Sequence, residues 1–549
     1  MTSKEQETLT PQDPAIMKKP GLLLLAVLAA GIIIAAPYTN FQEYLSQGDH
    51  GRDLYAAQAV FRGELPYKDF WWVYGPLMPY YYGLFFKIFG TKISSMILGK
   101  LCLRIAGGIL MALGLLEIAS PLAAFIGACW FMFFQQDFFY TYNHIGGLVM
   151  ILGVAWRLLA YIQKSSSKAP WSSLPFIFVL CLIKINFGLA ALAVSVITVA
   201  VCDFVRRTPA DRPKKLFYAA AVIGIPLVNF LIYWSLLHGL TIREIRQCLP
   251  YLPGDHPYNT TPWTAVCFFC TNTWHTITST WSNLVFAVLI NACALRCIYL
   301  IVKNKLPPAR RMALLLSLGL LGLFYAANSH EFIASGVWYC QFWAQPLSIM
   351  IIFILIDAAL QSIPKAFGYA VFSLIAVMLG ISWFVFMVMV SAMKTKSHYL
   401  DLPRGGIYVT NSPSWITTVE QTTNYLNTTL KPGELFFALP YDCLYYYLTG
   451  KKSPTRQLIF FEHIKIPPAQ EKSVIAELVK NRVNYVLLSN RAFAHQESGL
   501  GILGTNYCPL IAKYIEDNFT ALVHFGDWKD EPGWAWNHGT CILKRKVPL

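Results

Sequence analysis

Carboxylates and cations are concentrated in one stretch near the start of this chain, residues 47–90. Its acids include Asp49, Asp53, Glu64 and Asp69, and the cations beside them include Arg52, Arg62 and Lys68. The stretch follows a hydrophobic run directly, so these charges would lie at a membrane face, where acidic groups are costly unless they serve a function. A carboxylate there can act as a general base toward a hydroxyl group, and a cation can stabilise a phosphate.

Asp49 is the first candidate for that base. Gly48 and Gly51 lie on either side of it, and glycines leave room for close approach of a substrate. The apolar spacing in residues 54–61 predicts a short amphipathic helix lying along the membrane interface. Asp49 and Asp53 precede or start this helix, so the alternative interpretation is that they only cap its positive end.

Four cations are candidates to bind the phosphate of a donor: Arg52, Lys68, Arg104 and Lys184. Arg104 and Lys184 lie within or near apolar runs, where a charge is expensive and is expected to be paired. The alternative is that both side chains snorkel to the interface. Arg52 and Lys68 could instead be solvated or paired with the nearby acids.

Further polar residues near the same membrane face are candidates for substrate binding: Asp53, Tyr55, Asp137, His144, His330 and Glu331. The dipeptide Asp-His occurs twice after a glycine, so a divalent metal ion could be held by Asp49, His50, Asp255 and His256. No close spacing defines that geometry, and loop polarity explains the same residues. No cofactor is certain on this basis.

The composition indicates a polytopic membrane protein. Of 549 residues, 56% are hydrophobic and only 13% are charged, far from the usage of soluble domains. Aromatic residues make up 15%, which suits interfacial belts and apolar clefts. The net charge of +15 is explained by basic loops on the cytoplasmic side, so it does not call for nucleic acid as a partner.

Apolar runs predict about eleven transmembrane helices. They lie near residues 20–37, 95–118, 120–135, 145–163, 172–186, 187–205, 215–238, 282–302, 311–327, 342–361 and 365–392. With eleven spans, the strong Lys and Arg clusters of the short loops all fall on one side. The positive-inside rule then places the N-terminus in the cytoplasm, with the 38–94 loop and the C-terminus outside a plasma or inner membrane.

The composition changes near residue 394, which divides the chain into a membrane domain, 1–393, and a C-terminal domain, 394–549. Short apolar runs at 435–439, 458–461 and 485–488 predict strands, and 468–482 has helical spacing. Strands alternating with helices favour a small extracytoplasmic α/β domain.

The order of motifs in the first loop resembles membrane glycosyltransferases of the GT-C fold. The group includes the protein O-mannosyltransferases and the bacterial enzymes that transfer aminoarabinose to lipid A. The motifs are Asp49-His50-Gly51, Leu54-Tyr55-Ala56-Ala57-Gln58, Gly63-Glu64-Leu65-Pro66-Tyr67-Lys68-Asp69-Phe70, Gly75-Pro76-Leu77 and Phe89-Gly90. The segment from Leu444 to Gly450, interpreted as a strand and turn, and Pro454-Thr455-Arg456 are also similar to the tail domain of these bacterial enzymes.

The resemblance implies a catalytic base at the start of the first loop, which is the place of Asp49, and a polyprenyl-phosphate sugar as donor. Members of the family often have Asp-Glu here, whereas this chain has Asp49-His50, which puts a borrowed metal site in doubt. The acceptor could be a lipid, a glycan or a protein hydroxyl. One base suffices for a transfer with inversion, because the phosphate leaves from the opposite face of the sugar.

Two other functions compete with a glycosyltransferase. A transporter or flippase of lipid-linked sugars would favour internal repeats and charged or broken helices at mid-membrane. A polysaccharide polymerase or ligase of another membrane fold would have its important loops later in the chain. The concentration of acids in the first loop favours the enzyme with Asp49 as general base.

Overall fold

The computed structural model describes most of the chain. The described residues are 20–43, 45–134, 142–163, 170–206, 212–249, 262–278, 281–335, 342–394, 398–493, 501–528 and 539–547. Helices dominate them up to residue 393, and short strands appear at 41–42 and after 398.

Nine helices of the described residues are long and apolar enough to cross a membrane, and two shorter apolar helices accompany them. The eleven are α1 (Pro20–Ala35), α4 (Ile93–Leu116), α5 (Pro121–Phe134), α6 (Asn143–Gln163), α7 (Leu174–Ile183), α8 (Ile185–Arg206), α9 (Arg212–Leu237), α12 (Trp281–Val302), α13 (Pro308–Asn328), α15 (Gln345–Leu360) and α16 (Lys365–Met393). Each predicted span corresponds to one of them. Lys184, in extended conformation, separates α7 from α8 near the predicted division.

Shorter helices connect the apolar ones. They are α2 (Asp49–Phe61), α3 (Leu77–Phe89), α10 (Ile242–Cys248), α11 (Pro262–Thr278) and α14 (His330–Ser335). Helix α10 begins with a capping box, in which Thr241 accepts from the backbone of Glu244 and the Glu244 carboxylate accepts from the backbone of Thr241. α2 and α3 both belong to the first loop, residues 38–94.

The C-terminal region contains the predicted mixture of helices and strands. Its helices are α17 (Pro413–Thr429), α18 (Cys443–Thr449), α19 (Pro468–Lys480) and α20 (Pro509–Asn518). Strands β4 (Phe436–Leu439), β5 (Tyr485–Ser489), β7 (Gly539–Arg545) and β6 (Phe519–Gly526) form one sheet in that order, with β4 and β5 parallel and the other pairs antiparallel. The region is an α/β domain, as predicted from its alternating pattern.

Two local predictions in this domain were wrong. Residues 458–461 form no strand, although all four are apolar and buried; the backbone nitrogen of Phe460 donates to the backbone oxygen of Pro440, outside the sheet. Residues 444–450 were interpreted as a strand and turn, but they form helix α18, which ends at Gly450 in the left-handed conformation (φ 72°). Their aromatic side chains are buried in both cases, so apolar character alone did not distinguish the two conformations.

The first loop and the C-terminal domain share structure. Strand β1 (Phe41–Gln42) pairs in parallel with β3 (Ile407–Val409), which also pairs with β2 (Tyr399–Leu400). One hydrophobic core includes Leu54 and Trp72 of the first loop together with Tyr445 and Tyr485 of the domain. The packing therefore fixes the start of the first loop against the C-terminal domain. The boundary at residue 394 stays a prediction.

Candidate active site

Helix α2 carries the central group of charges, and it begins at Asp49. A carboxylate in the first turn interacts favourably with the positive end of the helix dipole. Every residue from 50 to 60 is buried, because α3 packs on one side of α2 and α18 on another. The predicted helix is present, and it begins at Asp49, one of the two starts that the sequence allowed. It is enclosed by protein, and its position relative to a membrane interface stays a prediction.

The two glycines beside Asp49 accommodate the C-terminal domain. A Cβ atom on Gly48 would lie 2.5 Å from the ring of Tyr441, and one on Gly51 would lie 2.3 Å from the backbone nitrogen of Leu444. Both distances are far below van der Waals contact. The space that we assigned to an approaching substrate is thus filled by residues 441–444 of the chain itself.

Arg52 is held between two carboxylates. Its Nε atom donates to Oδ1 of Asp53 at 2.9 Å, its Nη2 atom lies 2.8 Å from the same oxygen, and its Nη1 atom lies 3.3 Å from Oδ1 of Asp49. The guanidinium also lies over the rings of Trp72 and Tyr74, 5.5 and 5.0 Å from their centroids. This environment fixes the orientation of Arg52, since cation–π contacts strengthen when they are desolvated.

The two carboxylates differ in exposure. The side chain of Asp53 is 2% exposed, whereas that of Asp49 is 18% exposed. Asp53 also accepts a hydrogen bond from the backbone nitrogen of Tyr142 at 3.0 Å, and burial raises its pKa to about 6 although the charge of Arg52 opposes the shift. Asp53 thus joins α2 to the start of α6, while Asp49 is the more exposed of the two carboxylates.

Tyr441 is a component of the site that the sequence analysis missed. Its hydroxyl donates to Oδ1 of Asp49 at 2.9 Å, across 392 positions of sequence. It follows strand β4, and residues after the carboxyl ends of parallel strands often line sites. That position was the only local signal, and without the fold it did not point to Asp49.

His50 is buried beside the acids. Its Nδ1 atom accepts from the backbone nitrogen of Ser46 at 3.0 Å, which leaves Nε2 as its other polar atom. Burial lowers the pKa of His50 well below its usual value, and the positive charges of Lys100 and Arg52 act in the same direction. His50 is therefore neutral at pH 7.

Lys184 and Glu331 form a second ionic group. Lys184 is 2% exposed, and its Nζ atom lies 2.7 Å from Glu331. The same ammonium lies 3.2 Å from the centroid of Trp343. Asn186 donates to Glu331 and contacts Nε2 of His330 at 2.8 Å. Lys184 is thus paired within protein, in agreement with the expected cost of a lone charge there.

Aromatic rings connect the two ionic groups. Tyr74, which lies under Arg52, has its ring 5.2 Å from that of His144. His144 in turn lies 4.7 Å from Trp343, which lies under Lys184. The structure therefore brings Asp49, Arg52, Asp53, His144, Lys184, His330 and Glu331 into one connected region.

Three other candidates lie elsewhere. Arg104 stacks on Tyr38 at 4.8 Å and contacts the backbone oxygen of Phe133 at 3.4 Å. Lys68 is exposed on a turn of the first loop, and it forms no ion pair with the acids of the described residues. Tyr55 is 1% exposed, and its hydroxyl accepts from the backbone of Ser453, so it packs between the first loop and the C-terminal domain.

The metal hypothesis extends beyond the described residues. Asp255 and His256 lie outside them, and so does Asp137. Within the described ranges, no group of three or more His, Cys, Asp or Glu side chains has an arrangement that could hold a metal ion. A divalent ion at Asp49 and His50 stays a hypothesis.

We compared the sequence and the structure with those of known proteins. The sequence matches no family model and no curated protein. The structure is similar to the crystal structure of ArnT from Cupriavidus metallidurans in the apo state, with a TM-score of 0.54, 11% identity, and coverage of 95% of this chain and 98% of that one. Its similarity to the same protein bound to undecaprenyl phosphate has a TM-score of 0.45, at 13% identity and the same coverages.

The similarity extends to an oligosaccharyltransferase from Archaeoglobus fulgidus in the apo form, with a TM-score of 0.47, 11% identity, and coverage of 93% of this chain and 74% of that one. ArnT, a lipid A aminoarabinose transferase, is a membrane protein of the GT-C fold. This chain is therefore a multi-pass membrane protein with the GT-C fold and a C-terminal α/β domain. The predicted fold class is confirmed.

Proposed function

We propose that this protein is a membrane glycosyltransferase that moves a sugar from a polyprenyl-phosphate donor to a hydroxyl group of an acceptor. The observation that carries the proposal is the state of Asp49: a partly exposed carboxylate beside a fixed guanidinium, at the start of a loop helix in a GT-C fold. A base must be accessible to the proton that it takes, and Asp53 is not.

In the proposed reaction, Asp49 accepts the proton of the acceptor hydroxyl as its oxygen bonds to the anomeric carbon. The bond from that carbon to the phosphate oxygen breaks, and the lipid phosphate leaves with the electron pair. Attack and departure on opposite faces invert the anomeric configuration. Arg52, next to Asp49, would stabilise the charge that develops on the phosphate.

Lys184 would supply a second positive charge to the donor. Its link to Arg52 through the rings of Tyr74, His144 and Trp343 supports a donor site in which both cations lie along one wall. Aromatic rings along this wall could also stack on the sugar. Glu331 balances Lys184 in this structure, so donor binding would require Lys184 to share its charge between Glu331 and the phosphate.

The proposal is tested by comparing cells with and without the gene. Mass spectrometry of extracted polyprenyl-phosphate sugars should show one species that accumulates in the deletion strain, while one sugar disappears from a surface lipid, glycan or protein. Membranes containing the protein should then transfer that sugar from the purified donor, with and without a metal chelator. If the donor crosses the membrane but no acceptor is modified, the protein is a transporter or flippase instead.

We also propose the orientation of the protein in a plasma or inner membrane, with the N-terminus cytoplasmic and the C-terminal domain outside. In a variant without native cysteines, Lys303→Cys should be shielded from an impermeant thiol reagent in intact cells, and Lys472→Cys should react. Both side chains are exposed in the structure. The reverse labelling pattern would contradict this orientation.

A further inference from the structure

Tyr441 lies between the C-terminal domain and the carboxylate proposed as the base. Its side chain is 1% exposed, and its hydroxyl donates to Oδ1 of Asp49. The same oxygen faces Nη1 of Arg52 at 3.3 Å. Among the described residues, no hydrogen bond reaches the other oxygen, Oδ2, although the side chain is partly exposed. The two oxygens of Asp49 are therefore unequal.

We propose that Tyr441 is a positioning residue, by which the C-terminal domain fixes Oδ1 of Asp49 and leaves Oδ2 as the atom that takes the acceptor proton. This inference rests on the proposed function. A carboxylate anchored through one oxygen keeps the lone pairs of the other directed at one place, which favours a defined geometry of proton transfer. Arg52 alone cannot do this, because it is bonded more closely to Asp53.

Burial keeps the Tyr441 hydroxyl a donor. It raises the pKa of Tyr441 well above its usual value, and the nearby charge of Asp49 acts in the same direction, opposed by Arg52. The phenol therefore stays protonated at any pH at which the protein would work. A hydrogen bond to an ionised carboxylate is stronger than one between neutral groups.

Hydrogen bonds within the C-terminal domain fix the backbone of Tyr441. The backbone oxygen of Tyr441 accepts from Nη1 of Arg491 at 2.7 Å, and the same nitrogen lies 3.4 Å from Asp442. Ser489, at the end of β5, donates to the other oxygen of Asp442 at 2.7 Å. The ring of Tyr441 packs directly against Gly48, where a Cβ atom would lie 2.5 Å from it. The hydroxyl thus has little freedom to leave Asp49 while the domain stays docked.

The test uses Tyr441→Phe in the full-length protein, in the transfer assay described above. The ring remains against Gly48, and only the hydroxyl is lost. We expect kcat to fall about tenfold or more, the scale of a hydrogen bond to a charged group, with little change in the KM for the donor. The pH–rate profile should also change, because the lost hydrogen bond is to the group that would take the proton.

Tyr447→Phe is the matched control. Tyr447 lies on α18 of the same domain, is equally buried, and its hydroxyl has no hydrogen-bond partner among the described residues. This variant should keep the kcat and the pH profile of the wild type. Gly48→Ala is a second probe: its methyl group would displace the Tyr441 ring without removing the hydroxyl, and it should lower kcat in the same way.

A double variant separates positioning from stability. If Tyr441 acts through Asp49, adding Tyr441→Phe to Asp49→Asn should cause little further loss, whereas independent effects would multiply. Unchanged kcat and pH profile in Tyr441→Phe, with Asp49→Asn inactive, would overturn this inference and leave the proposed function standing. A wild-type protein that transfers no sugar would instead refute the proposed function.

Discussion

Two aspartate–arginine pairs lie on either side of Tyr441. Asp49 is 3.3 Å from Arg52, and Asp442 is 3.4 Å from Arg491. The charges and distances are nearly the same, but Asp49 is 18% exposed while Asp442 and Arg491 are both 0% exposed. We call Asp49 and Arg52 the outer pair, because the carboxylate of Asp49 is partly exposed. We call Asp442 and Arg491 the inner pair; Ser489 and the backbone oxygen of Tyr441 complete its hydrogen bonds.

The difference in burial suggests different roles for the two pairs. Removing one partner of a fully buried pair leaves the other as an uncompensated buried charge, which destabilises the fold. The Asp49–Arg52 pair includes a second acid, Asp53, so two carboxylates share one guanidinium. One guanidinium therefore faces two carboxylates here, whereas in the pair of Asp442 and Arg491 it faces one. The predictions below perturb each partner in turn.

The largest effect is expected from breaking the inner pair. Arg491→Met leaves Asp442 buried without its cation, which typically costs about 3 to 5 kcal/mol. The apparent Tm of the solubilised protein should fall by about 10 °C. Size-exclusion chromatography after stepwise heating measures this shift.

Arg62→Met is the control for that measurement. Arg62 pairs with Glu64 at 2.9 Å, but its side chain is 27% exposed, and exposed pairs contribute little. Its Tm should stay near that of the wild type. Equal shifts in the two variants would mean that burial does not distinguish the inner pair.

Removing the base should have the next largest effect, on turnover rather than on stability. Asp49→Asn keeps the size of the side chain and its bond to Tyr441, but it cannot accept the proton. We expect a loss of about 100-fold or more in kcat, within the range for removal of a general base, while donor binding is largely kept.

Asp69→Asn is the control for Asp49→Asn, because it makes the same change of side chain in the same loop. Asp69 is exposed and accepts from the backbone of Leu65 at 2.7 Å, away from Arg52. It should transfer sugar at the wild-type rate. Near-normal turnover by Asp49→Asn, at equal expression, would refute Asp49 as the base.

The outer pair shows what could be predicted from the sequence. Asp49, Arg52 and Asp53 are neighbours on one helix, so their proximity follows from local spacing. The apolar helices were likewise predictable, because length and hydropathy are local properties. The division predicted between spans 172–186 and 187–205 lies close to Lys184, where the structure separates α7 from α8.

The inner pair and Tyr441 show what could not. Asp442 and Arg491 are 49 residues apart, and Tyr441 is 392 residues from Asp49, so their contacts depend on how β4, β5 and α2 are brought together. Gly48 and Gly51 carried a real signal of close approach, but the sequence did not reveal that the approaching group was the chain itself. Burial of Tyr55 was hidden for the same reason.

A smaller effect is expected from altering the cation of the outer pair. Arg52→Lys keeps the charge but loses the planar group that donates to Asp53 through Nε and lies over Tyr74. If Arg52 stabilises the donor phosphate, the KM for the donor should rise about tenfold, the equivalent of one charge-assisted hydrogen bond. Titration of the reaction with purified donor measures this change.

Lys68→Arg is a control for a change in cation type at an exposed position of the same loop. It should leave the donor KM unchanged. If Arg52→Lys lowered only kcat and left KM unchanged, Arg52 would act on Asp49 alone, and the phosphate would be bound elsewhere.

The smallest effect concerns Asp53 and depends on pH. Because burial raises its pKa to about 6, Asp53 is ionised above that pH and shares Arg52 with Asp49. Below pH 6, Asp53 is protonated, and Arg52 pairs with Asp49 alone. This stronger ion pair should make Asp49 less effective in accepting the proton of the hydroxyl group. Turnover should therefore fall as the pH is lowered through about 6, by about fivefold for a change of about 1 kcal/mol in that pairing.

The variant Asp53→Asn, neutral at every pH, should show the lower rate already at pH 7.5 and should lose the step near pH 6. The control Asp69→Asn should keep the step. Initial rates from pH 5 to 8 measure all three proteins, and a wild-type profile in Asp53→Asn would show that Arg52 is not shared in the way the outer pair suggests.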